Sequence, residues 1–303
     1  MRSGAAEGGN GEDFIITESI HKIYMESFEW RFGKRGQLMF YHAKKETMNL
    51  GTTTMDYVTF GTGTRPLVII PGLSVRGVKG AAASLAYMYR LFAKEFKVYV
   101  FDRKAEIPEG YTVREIAGDV AEAMRLLEIS DADVFGVSQG GMIAQYLAID
   151  HPELVHKLVL GVTLSKNNET VKRVIADWIF MVEQSDYDGF VLDMLYKMYS
   201  DAYVKKYRLL LPAAAKLTKP KDFGRFIILA KACLTCDTYE ELDKIKCPVL
   251  VLGGKQDKIV TGEASEEMAE KLGCECHMYE ELGHAAYEEA KDFNGRIYEF
   301  LRK

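Results

Sequence analysis

Five short runs in this chain are apolar at almost every position and close on a turn or charged residue. They are PLVIIPG (66–72), FKVYVFD (96–102), DVFGV (133–137), KLVLGV (157–162) and PVLVLGG (248–254). Strands that are apolar throughout, rather than at alternate positions, suit a sheet covered on both faces, as in parallel sheets. Parallel neighbours cannot be joined by tight turns, so a crossover must lie between them. The intervening segments read as helices: 80–95, 112–129, and 140–150, the last stopped by Pro152. The expected fold is α/β, a mostly parallel twisted sheet with helices on both faces.

The spacing of these runs is uneven. From Val68 to Val98, Phe135 and Val159 the steps are 30, 37 and 24 residues, but Leu250 follows only after 91. One βα unit takes roughly 30 residues, so the last interval has about 60 to spare. That surplus is helical in pattern. Val171, Val174, Ile175, Trp178, Ile179 and Val182 share one helix face, as do Phe190, Met194, Leu195 and Met198, and then Phe223, Phe226, Ile227 and Ala230. Residues 165–243 are therefore expected to form an inserted helical lid, with 49–164 and 244–303 forming the core. Residues 1–48 are expected to be an extension. Within it, 1–13 should be disordered, FIITESIHKIYMESF (14–28) has helical spacing, and FEWRFGKRGQLMFY (28–41) suits a hairpin.

Charge and composition exclude more than they assign. A net charge of −5 gives no footprint for nucleic acid. No apolar run approaches the ~20 residues of a membrane span, and the glycine-rich, acidic start is the reverse of a secretory signal. Five cysteines in no framework spacing suit a reducing cytoplasm, the expected location. Cys233 and Cys236 have the spacing of half a metal site, but neither Cys274-x-Cys276 nor a histidine completes it, so no metal is expected.

The chemistry centres on GVSQGG (136–141), where Ser138 stands between Gly136 and Gly140. A β-rich run precedes it and an amphipathic helix follows. In such a sharp strand-to-helix turn, a Cβ at either glycine would meet neighbouring backbone. An attacking hydroxyl needs a base and a group that orients the base. Asp257 lies in the loop after PVLVLGG, and His284 follows the next strand, in the order expected for this fold. The other position for an acid, after KLVLGV, holds TLSKNN and has no carboxylate. Oxyanion donors are expected from the backbone N–H groups of Gln139, at a helix N-terminus, and Leu73, in the loop IIPGLSVRG.

The set VIIPGL, GVSQGGMIAQYLAIDHPELVHKLVL, VLVLGGKQDKIV and ELGHAAYEEAKDFNGRIYEFL resembles the α/β-hydrolase superfamily, specifically lid-bearing serine hydrolases such as esterases, enol-lactonases and carbon–carbon bond hydrolases. The resemblance spans about 52–303. It implies Ser138 as nucleophile, Asp257 as acid, His284 as base, and Leu73 and Gln139 as oxyanion donors, with no cofactor. The chain departs from the family in having Pro71-Gly72 where His-Gly is usual, and KAEIPEGYTV after Phe101-Asp102-Arg103 in place of a glycine-rich segment. The lid carries 12 Lys/Arg and 12 Asp/Glu. A neutral lid with Gln139 after the nucleophile turns the expectation away from peptidases.

The expected substrate is a small apolar ester, thioester or lactone, with Trp178, Phe190 and Met194 among its contacts. Carbon–carbon hydrolysis, acyl transfer, perhydrolysis and a non-catalytic ligand receptor are the alternatives. Sequence assigns no oligomeric state.

Overall fold

A computed structural model describes residues 43–209 and 223–303. The expectations for 1–13, 14–28 and 28–41 lie outside the described residues. Eight strands form one sheet in the order β1-β2-β4-β3-β5-β6-β7-β8. They are β1 (Lys44–Asn49), β2 (Thr54–Phe60), β3 (Arg65–Ile70), β4 (Phe96–Lys104), β5 (Ala132–Val137), β6 (Val155–Gly161), β7 (Val249–Gly254) and β8 (Glu275–Tyr279). β2 pairs antiparallel with both β1 and β4, and every other pairing is parallel. β1 runs across residue 48, so the extension boundary expected there cuts a strand of the sheet.

Along β3, successive side chains enter opposite cores, as a pleated strand requires. Val68 and Ile70 join Ile116, Val120, Ile143 and Leu147 on one face. Leu67 and Ile69 join Phe92, Phe96, Phe293 and Ile297 on the other. The first face is covered by α2 (Val113–Leu126) and α3 (Gln139–Asp150), joined by α8 (Gly262–Leu272). The second is covered by α1 (Ala82–Met88) and α10 (Phe293–Arg302), which follows the short α9 (Ala286–Glu289). Thr112 and Glu115 form a reciprocal cap that starts α2.

The helix expected over 80–95 is shorter. A single 3₁₀ turn at Val78–Ala81 precedes α1, which ends at Met88, and turns then carry the chain to Phe96. Those turns seat Phe92 in the core, edge-on to Phe96.

Between β6 and β7 lie α4 (Glu169–Glu183), α5 (Tyr187–Met198), α6 (Asp201–Tyr207) and α7 (Gly224–Cys233). The two ends of this insert leave the core side by side. Lys166 and Asp237 form an isolated antiparallel bridge, and the Thr238 N–H donates to the Ser165 carbonyl at 2.7 Å.

Candidate active site

β5 ends at Val137 and α3 begins at Gln139, leaving Ser138 alone in the turn with φ 54° and ψ −120°. A β-carbon rarely tolerates that conformation, and such strain persists only where its surroundings enforce it. They do so here. A Cβ on Gly140 would lie 1.8 Å from the Ile70 carbonyl oxygen, and one on Gly136 would lie 2.4 Å from that of Gly140. The Ser138 N–H donates to the Gly161 carbonyl at 2.9 Å, and the Thr163 hydroxyl donates to the Ser138 carbonyl at 2.7 Å. As the residue preceding α3, Ser138 could have capped the helix with its hydroxyl. It makes no such bond.

The hydroxyl turns to His284 instead. Ser138 Oγ lies 2.9 Å from His284 Nε2, and His284 Nδ1 lies 2.8 Å from Asp257 Oδ2. A carboxylate can only accept, so Nδ1–H donates to it and Nε2 is left to accept from the serine. Asp257 is fixed at its other oxygen, where Oδ1 accepts the N–H groups of Ile259 at 2.8 Å and Val260 at 3.0 Å. Both Asp257 and His284 are buried, at 7% and 4% exposure. The His284 loop packs against Gly254, where a Cβ would meet the Gly283 carbonyl oxygen at 2.3 Å. A hydroxyl on a strained turn, an oriented imidazole and a buried carboxylate in series can together activate the hydroxyl for attack.

Beside Ser138 and His284 is a cavity of about 50 Å³, walled by Gly72 and Leu73 from the loop after β3 and by Met142, Ile259, Val260 and Tyr287 from the core. The insert supplies Val171, Ile175, Trp178, Met194, Met198, Phe226 and Cys233. No lining residue carries a formal charge except by protonation of His284. A roomier hollow of about 240 Å³ lies by Asp131, His156 and Cys247, before the first residues of β5 and β7, at the other end of the strands from Ser138. Volume alone would point there, but Ser138 and its partners do not.

Of the contacts expected from the insert, Trp178 and Met194 line the cavity and Phe190 does not. Phe190 is fully buried behind the wall, edge-on to Trp178, Phe223 and Phe226. It is a core residue of the insert. Leu73 borders the cavity, while the Gln139 side chain is wholly buried and faces away into a polar network. Cys233, whose spacing to Cys236 completes no metal site, stands in the cavity wall. Burial pushes its thiol up to about 11, which leaves it protonated and unreactive at neutral pH.

The model of the alpha/beta hydrolase family matches residues 67–296. The chain belongs to that family. The protein named carbamate hydrolase RutD of Rhizobium rhizogenes is 25% identical over 236 residues, covering 75% of this chain and 90% of the relative. The 3-oxoadipate enol-lactonase 2 of Acinetobacter baylyi is 21% identical over 233 residues, covering 75% and 85%. Among solved structures, the enol-lactonase of Burkholderia xenovorans LB400 superimposes with a TM-score of 0.73 at 21% identity, covering 85% of this chain and 100% of that one. MGS-M2, an alpha/beta hydrolase from a deep-sea metagenome library, does so with 0.75 at 21%, covering 85% and 98%. These likenesses carry the fold.

This hydrolase holds its insert against the His284 loop by contacts that no sequence motif announces. The Ala285 N–H donates to the Met198 carbonyl at 2.7 Å, and the Ser200 N–H and hydroxyl donate to Glu289 at 2.9 and 2.6 Å. The Tyr199 hydroxyl reaches Glu288 at 2.5 Å. The only available sequence signal was the acidic pair itself, which reads as a solvated helix end. Among the described residues no helix is long and apolar enough to cross a membrane.

Proposed function

We propose that this hydrolase cleaves a small apolar carboxylic ester, thioester or lactone through an acyl-enzyme on Ser138. The observation that carries the reading is the unbroken series Asp257–His284–Ser138 opening on a cavity with apolar walls. Ser138 Oγ attacks the carbonyl carbon as its proton passes to His284 Nε2, and the Leu73 and Gln139 N–H groups receive the oxyanion. As the tetrahedral adduct collapses, His284 returns the proton to the leaving oxygen or sulfur. Water, deprotonated by the same imidazole, then releases the acid. Asp257 accepts from Nδ1 and holds the ring.

The insert serves as a lid that supplies the acyl wall. A cavity of about 50 Å³ holds only a few water volumes, which favours short acyl groups. The names of the enol-lactonase relatives support placing lactones in the substrate class, and that of RutD makes a carbamate the first nitrogen analogue to test.

The test joins labelling to a substrate panel. A fluorophosphonate should label the protein once, at Ser138, and Ser138→Ala should abolish labelling and lower turnover by on the order of 10⁶-fold. Across neutral esters, kcat/KM should rise from acetate to about butanoate or hexanoate and then fall, by roughly fourfold per methylene on the rise. Labelling elsewhere, or activity retained in Ser138→Ala, overturns the nucleophile. A strong preference for dicarboxylates or peptide amines overturns the substrate class.

A further inference from the structure

One guanidinium nitrogen bridges the two segments that carry the proposed oxyanion donors. Arg103 Nη2 donates to the Pro71 carbonyl at 2.6 Å and to Gln139 Oε1 at 2.9 Å. Pro71 begins the loop bearing Leu73, and its own nitrogen cannot donate, so its carbonyl is the handle by which that peptide can be held. The Gln139 amide is used at its other end too, where Nε2 donates to the Leu229 carbonyl at 2.6 Å and to Cys233 Sγ at 3.1 Å, both on α7. The start of α7 is tied to the same strand end. Arg225 Nη2 donates to Asp102 Oδ1 at 3.2 Å and to the carbonyls of Arg103 at 2.7 Å and Lys104 at 3.1 Å.

This cluster is a costly way to fill space. Arg103 is 5% exposed, and burial pulls its guanidinium down to about 10, against the pull of Asp102, which still leaves it a cation at neutral pH. The Nε atoms of Arg103 and Arg225 are buried without a partner. Buried ion clusters add little stability over apolar packing of the same volume, so stability alone does not account for this one. Oxyanion donors depend on fixed geometry, because they act only when held in place for the charge that develops in the transition state.

We propose that Arg103 is a positioning residue that sets the spacing of the Leu73 and Gln139 donors, and that Gln139 couples that spacing to the seating of α7. The inference rests on Ser138 as nucleophile. Loosening the bridge should lower kcat and spare KM, since the substrate's ground state does not use the hole.

The experiment compares Arg103→Lys and Gln139→Met, which keeps the Gln139 N–H, with Arg65→Gln. Arg65 pairs with Asp133 at 2.8 Å at the opposite end of the strands and provides a purely structural loss. The measurements are kcat and KM on a butanoate ester, Tm, affinity for a trifluoromethyl ketone, and fluorophosphonate labelling. Arg103→Lys and Gln139→Met should each lose about 10²-fold in kcat with KM within about twofold, and ketone affinity should fall in proportion. Arg65→Gln should lower Tm and keep kcat. If folded Arg103→Lys and Gln139→Met both keep kcat within about threefold, or lose only KM, the positioning role fails while Ser138 stands. An unlabelled Ser138 in the parent protein removes the nucleophile reading and this inference with it.

Discussion

The carboxyl edge of the sheet and the helical insert face each other across one cavity, yet they hold their residues by different means. Ser138, Asp257 and His284 sit just past strands whose register fixes them, with backbone hydrogen bonds on either side. Trp178, Met194 and Met198 sit on helices held by side-chain packing and by bonds to Ala285, Glu288, Glu289 and Gln139, and through Arg225 to the end of β4. The edge therefore resembles a rigid jig, with each side chain fixed by the backbone around it. The insert resembles a wall whose shape depends on which side chains fill it. Chemistry should be lost steeply by changes at the edge, and selectivity should be tuned gradually by changes in the insert.

Asp257→Asn tests the first half of that contrast and should have the largest effect of the three variants here. An asparagine keeps an oxygen for the Ile259 and Val260 N–H groups, so Tm should hold. It no longer enforces the tautomer in which Nε2 accepts, and kcat should fall by about 10⁴-fold. A near-silent Asp257→Asn, with Asp237 or Glu281 proving essential, would move the acid elsewhere.

Met194→Ala tests the second half. Removing a flexible side chain from the cavity wall should move the best acyl chain one or two methylenes longer, changing relative kcat/KM by roughly fourfold per methylene while turnover on the best substrate stays near that of the parent. An unchanged profile would show that Met194 does not bound the acyl group. Phe190→Leu should do least. It lies behind the wall among aromatic rings, so losing three buried carbons should cost about 2 kcal/mol in a denaturation midpoint experiment and leave chain-length preference alone. If it shifts the profile as far as Met194→Ala, wall and core of the insert are not separate.

The same contrast explains what could be read from the residues. Strands β3 to β7 announce themselves because a strand buried on both faces must be apolar throughout. Ser138 announces itself because only glycine fits at 136 and 140. Strand β1 escaped because KKETMN, at the open margin of the sheet, is mostly polar, and β2 escaped because TMDYVTF mixes polar residues among Met55, which enters one core, and Val58 and Phe60, which enter the other. Phe190 and Trp178 carry the same helical periodicity, and nothing in that period separates a residue facing the cavity from one facing its neighbours. Arg103 and Arg225 were illegible for another reason. Their partners are mostly backbone carbonyls and an amide, which have no sequence signature, and the two arginines are 122 positions apart in the chain.

The paired exit of the insert at Lys166 and Asp237 bears on how the chain reaches this fold. β6 and β7 are neighbours in the sheet but roughly 90 residues apart, so their pairing must close a long loop before it gains any contacts. Loop closure scales with the logarithm of length, so shortening that span to about ten residues would ease it by only about 2 kcal/mol. If it forms early, the bridge at the neck would let the insert's own helices shorten the effective span before the strands meet. Assembly of β6 against β7 should then be timed by the insert's collapse, and β3 to β6, whose connections are shorter, can pair without waiting for it.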